Sequence, residues 1–72
     1  MSYNYSKLRG KIIEKFGTYK NFAKAMDTSE RTLSLKLNNK IFWKQDEIEK
    51  AIELLTINKK DILIYFFNIN VQ

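Results

Sequence analysis

Residues 18–40 read TYKNFAKAMDTSERTLSLKLNNK, and their spacing predicts two short helices joined by a tight turn. Thr18 offers a cap, and Tyr19, Phe22, Ala23 and Met26 recur at the three-and-four spacing of one helix face until the pattern lapses at Asp27 and Thr28. Ser29 then offers a hydroxyl to a second helix, Glu30 puts negative charge in its first turn, and Leu33 and Leu37 face inward one turn apart. Asn38 or Asn39 ends that helix, since asparagine tolerates the left-handed conformation. Ala23 matters because a bulkier side chain there would push the two helices apart. The pattern is that of a helix-turn-helix.

Upstream, Tyr5, Leu8, Ile12 and Phe16 place one apolar stripe on a first helix, which Asn4 or Ser6 caps and Gly17 ends. Downstream, Ile41, Phe42 and Trp43 form an aromatic-rich loop expected to plug the bottom of the core. Ile48, Ala51, Ile52 and Leu55 define a fourth helix with Asp46 and Glu47 in its first turn, although Lys44 is a poor cap. Asn58 caps a fifth segment carrying Ile62, Tyr65 and Phe66 on one face. Residues 67–71 alternate apolar and polar, which fits a short strand or an irregular tail as well as a frayed helix. The expected fold is all-α: a compact five-helix bundle with helices two and three as the helix-turn-helix and a short irregular or extended C-terminal tail, in one domain over residues 1–72.

A chain of 72 residues buries a small core, and with no cysteine or histidine it has neither disulfide nor zinc to staple it. Packing must suffice, with a homodimer as a further source of stability. The absence of cysteine fits a reducing interior, and there is neither a signal-peptide pattern nor an apolar run near the ~20 residues that a membrane span needs, so a cytoplasmic location and no membrane partner are expected. Charge is unevenly spread. Residues 1–44 carry ten basic and three acidic residues, a balance of +7, and residues 45–72 a balance of −2. A basic half suits a polyanion, because each phosphate neutralised releases condensed cations. No histidine, cysteine or phosphate-cradling glycine loop is present, and the pairs Asp46–Glu47 and Glu49–Glu53 sit at helical-surface spacing near Lys50, which reads as a solvated face. Neither catalysis, a metal nor a cofactor is expected.

Residues 18–40 also resemble the helix-turn-helix of phage Cro and C1-type repressors. Ala23 matches the small buried residue, Met26 the apolar residue before the turn, Ser29 the cap, Leu33 the apolar anchor, and Asn38-Asn39-Lys40 the Asn-Gly-Lys exit. The sequel FWKQDEIEKAIELLTINKKDILIYFF looks like the two helices that follow the motif in such five-helix domains, so the resemblance covers nearly the whole chain. Within that group the chain is most similar to the small Cro-like MOR (modulator of repression) type of Gram-positive temperate phages. Two positions depart. Asp27 stands where glycine is favoured, and Lys36 stands near a usual apolar site, so that Leu37 is expected to take the inward role instead.

The resemblance implies a DNA-binding transcriptional regulator of a phage lysis/lysogeny genetic switch in a bacterial host cell, reading double-stranded operator DNA with the helix at about 29–38. It places Ser29, Glu30, Arg31, Ser34 and Leu35 on the groove-facing side, with Tyr19 and Lys20 at the start of helix two. Arg31 can pair with guanine O6 and N7, Ser34 can reach either base type, Leu35 can pack on a thymine methyl, and Glu30 can accept from cytosine N4 or serve the helix dipole. Lys20, Asn38 and Lys40 suit phosphates. Of the series Lys7, Arg9, Lys11 and Lys15, mostly a solvated face, Arg9 is the best candidate for a DNA-backbone contact. The resemblance also implies an alternative, an antirepressor acting by complex with the opposing CI-type repressor. An exposed Leu35 and the apolar end 64–71 would suit such a protein partner.

Overall fold

The structure, a computed structural model, describes residues 2–69. Among these, five α-helices follow one another: α1 (Ser6–Phe16), α2 (Tyr19–Ala25), α3 (Glu30–Leu37), α4 (Gln45–Leu54) and, after a 3-10 turn at Lys59–Asp61, α5 (Ile62–Phe66). The apolar stripes read from the sequence meet in one core. Leu8, Ile12, Phe22, Leu33, Leu55 and Phe66 are fully buried, with Ala23, Leu37, Ala51 and Ile52 among them. Burial also lifts the Tyr5 phenol above its ordinary pKa, with a smaller push from neighbouring Tyr3.

Capping follows the sequence closely. Thr18 accepts from the Asn21 N–H at 3.1 Å, Ser29 from the Thr32 N–H at 3.0 Å, and Asn58 from the Lys60 N–H at 3.1 Å. Each satisfies one of the donors that a helix start leaves open. At α1 the Asn4 side chain takes the Ser6 N–H at 2.9 Å, and Gly17 ends the helix at φ +81°. At α4 the poor cap Lys44 is compensated, because Glu47 Oε1 reaches back to accept the Lys44 N–H at 2.7 Å.

Three helices end in the same way without glycine. Asp27, Asn39 and Thr56 adopt φ of 58°, 62° and 56°. The next N–H in each case bonds back to the third-last helical position: Thr28 to the Ala23 carbonyl, Lys40 to Leu35 and Ile57 to Ile52, at 3.0, 2.8 and 2.9 Å. These are Schellman turns. Asp and Asn bear the left-handed conformation at modest cost, whereas β-branched Thr56 is strained.

The structure corrects several expectations. Phe42 does not plug the core; it is 85% exposed, Ile41 is also exposed, and only Trp43 turns inward, meeting Phe66 edge-on at 5.1 Å. Lys36 is buried beside Leu37 rather than displaced by it, because its ammonium pairs with Glu47 Oε1 at 3.1 Å. Leu35 is half-buried, not exposed. Ile69 forms an antiparallel bridge with Tyr3, in keeping with the expected extended tail; the expectation for residues 70 and 71 lies outside the described residues. Among the described residues no helix is long and apolar enough to cross a membrane.

Candidate nucleic-acid interface

α3 is a two-sided helix. Its cap at Ser29 and its Schellman exit at Asn39 fix both ends, while Leu33 and Leu37 anchor one side against a core that includes Ala23 at 1% exposure. The opposite side carries Arg31 and Ser34, both exposed, with Leu35 half-buried; exposed Glu30, seven residues before Leu37, lies at the edge between the two sides.

The proposed base-reading residues are not equally free. The guanidinium of Arg31 has no hydrogen bond or ion pair among the described residues, so nothing must be broken before it meets a ligand. Ser34 accepts from Asn38 Nδ2 at 3.2 Å and keeps its own O–H to donate. Ser29 is committed to its own helix, since besides capping Thr32 its hydroxyl donates to Thr32 Oγ1 at 2.9 Å. Glu30 lines a cleft of about 130 Å³ together with Arg9, Tyr19, Leu33, Ser34 and Leu37.

The proposed backbone-contacting residues divide in two. Lys20 and Lys40 are exposed and carry no ion pair among the described residues, which suits a phosphate. Arg9, Tyr19 and Asn38 instead form a bracket: Arg9 Nη2 donates to the Leu37 carbonyl at 3.2 Å and to Asn38 Oδ1 at 2.9 Å, and its guanidinium lies 5.9 Å from the centre of the Tyr19 ring. A cation at the carbonyl end of α3 is favoured by the helix dipole. The bracket clamps α1 to the end of α3 and, through Asn38, holds Ser34.

Two positioning contacts had no sequence signal. The Asn39 amide donates to the Tyr3 carbonyl at 2.9 Å and accepts the Tyr3 N–H at 2.8 Å, pairing the N-terminal segment with the α3 exit. Asp27 Oδ2 meets Lys50 Nζ at 3.0 Å, tying the turn between α2 and α3 to α4. Both link residues far apart in the chain, where local spacing carries no information.

Comparison with known proteins adds to this geometry. The family model described as a protein of unknown function, DUF739, matches residues 1–69. No curated protein matches the chain. The solution structure of the modulator of repression (MOR) of the temperate bacteriophage TP901-1 from Lactococcus lactis is similar at a TM-score of 0.82 and 61% sequence identity, covering 100% of this chain and 97% of that one.

Proposed function

The chain belongs to the DUF739 family, and on that premise, with its likeness to a phage modulator of repression, we propose that it regulates a temperate-phage lysis/lysogeny switch by binding operator DNA. In this reading α2 and α3 are a helix-turn-helix of the Cro and C1 type, and α3 lies in the major groove. The observation that carries it is the outer face of α3, where Arg31 stands unpaired beside Ser34 on the half of the chain with a balance of +7. An arginine already neutralised by an acid would have to give up that partner before reading a base. Arg31 supplies the guanine pair, worth about 1–3 kcal/mol in discrimination, while Lys20 and Lys40 set register on phosphates.

The test is a titration against the phage's own promoter region at two salt concentrations. The reading expects a preferred site and an affinity that falls steeply with salt. Equal binding to random DNA, or no salt slope, removes it.

A second reading is favoured by a different observation. Phe42 at 85% and Leu63 at 69% exposure have no role in reading DNA, and exposed apolar surface of this kind marks protein contacts. They support an antirepressor that forms a complex with the opposing CI-type repressor. Co-elution of the two proteins at micromolar concentration is the expected result, and separate elution counts against it.

A further inference from the structure

Away from α3, the surface between α4 and α5 is both apolar and acidic. Three shallow grooves run into one another there. The first lies between Phe42 and Phe67, the second shares Trp43, Ile48 and Phe67 with it, and the third shares Glu49 and Ile62 with the second. The two larger grooves have volumes of about 480 and 360 Å³. Apolar side chains are exposed along this line, Phe42 at 85% and Phe67 at 41%, while Trp43, Ile48 and Ile62 are partly buried against the core.

The charge along this line has one sign over most of its length. α4 carries four carboxylates and one lysine. Glu47 is occupied by Lys36, and Lys50 by Asp27, which leaves Asp46, Glu49 and Glu53 without an ion pair among the described residues. Spaced three and four apart, they share one face of the helix. Glu49 lines the second and third grooves and Glu53 the third, which Lys59 also lines.

We infer that this face docks a basic amphipathic helix of a partner protein, its apolar side seated over Trp43, Ile62 and Phe67 and its lysines or arginines against Glu49 and Glu53. The two glutamates are one helical turn apart, so bases one turn apart on a helix laid along the groove meet both. DNA is excluded as the occupant, because the same carboxylates repel phosphate. A second copy packed symmetrically is disfavoured too, since a two-fold contact sets each face against itself and brings like charges together. The inference rests on the antirepressor reading in so far as that reading requires a protein partner, but it assigns the contact to α4 and α5 rather than to α3.

The probe is a synthetic leucine–lysine peptide about 15 residues long, patterned to give one apolar and one basic face, with a scrambled peptide of equal charge as control. Binding is followed by NMR chemical shifts of the full chain, with the indole N–H of its one tryptophan, Trp43, as reporter. Expected are saturable shifts at Trp43, Glu49 and Ile62, none on α3, and affinity at least about tenfold lower in the doubly substituted Glu49→Lys, Glu53→Lys chain. Phe42→Ser, at a side chain that contributes little burial, should weaken binding without unfolding the protein. Equal shifts with the scrambled peptide, shifts confined to α3, or concentration-dependent self-association through Trp43 in the free protein would each overturn the inference. A complex with the opposing repressor that survives Glu49→Lys with Glu53→Lys would keep the antirepressor reading and overturn only this face.

Discussion

The α1–α3 half and the α4–α5 half share one core but finish their surfaces in opposite ways. Among the described residues up to Lys40, Ile13 is the one large hydrophobic side chain left exposed, whereas Ile41, Phe42, Leu63, Ile64, Phe67 and Ile69 all are. The first half carries +7 and the second −2. A helix that enters a groove of bases needs a polar outer face over a tightly anchored inner one, and α3 has that form, with Arg31 its exposed cation. A surface left apolar with acids at its edge has no such use. The difference teaches that net charge alone misdescribes this chain, because its +5 is the sum of a basic stretch and an acidic one.

The largest effect that would break the comparison lies at its seam. Ala23→Leu, at a site 1% exposed in the core that α2 and α3 share, should cost roughly 3 kcal/mol by overpacking, read as a drop in the urea midpoint. A variant as stable as the parent would mean that α3 is not held by close crossing. Next comes the outer face of α3. Arg31→Ala should lose about 1–3 kcal/mol of discrimination between operator and random DNA, while Lys40→Ala should weaken both alike and reduce the salt slope by about one; competition binding at two salt concentrations separates them. Identical behaviour of the two variants would erase the distinction between reading and positioning.

Two smaller changes sharpen the picture of how the halves are joined. Glu47→Gln preserves an oxygen for the Lys44 N–H but leaves the Lys36 ammonium, only 6% exposed, without its counter-charge, and should cost about 1–3 kcal/mol in chemical denaturation. Lys36 belongs to α3 and Glu47 to α4, so this pair helps to set α3 against the second half. Thr56→Gly should act in the opposite direction. Relief of a β-branched residue at φ 56° recovers about 1–2 kcal/mol, the added freedom of glycine in the unfolded chain takes back about 0.5–1, and a net gain near 0.5–1 should appear as a higher melting temperature.

What the sequence made legible was whatever depends on neighbours in the chain. The apolar spacing of Leu8 and Ile12, the caps at Thr18, Ser29 and Asn58, and the left-handed tolerance of Asp27 and Asn39 are all local properties, and the structure has each of them. The exposure of Phe42 is not legible, because composition cannot say which of three consecutive apolar side chains in a loop turns inward, and of the three it is Trp43 that reaches Phe66. The burial of Lys36 is not legible either, because it depends on a carboxylate one helix further on. At the candidate interface the residue types on the outer face of α3 were legible, but their freedom was not: that Arg31 stands unpaired while Arg9 and Asn38 are spent on each other follows from how α1 crosses the end of α3.

The clasp at Tyr3 has a kinetic consequence. Its peptide group is hydrogen-bonded to the Asn39 amide, its ring stands edge-on to Phe67 at 5.8 Å, and the adjacent Asn4 N–H bonds to the Asn68 carbonyl. Asn4 and Asn68 lie far apart in the sequence, so this contact closes a long loop and costs more closure entropy than the local contacts of the bundle. The rest of the bundle can collapse around Phe22 and Leu33 beforehand, and the same segment is then the natural place for the finished molecule to open first, with the exit of α3 the nearest part to feel it.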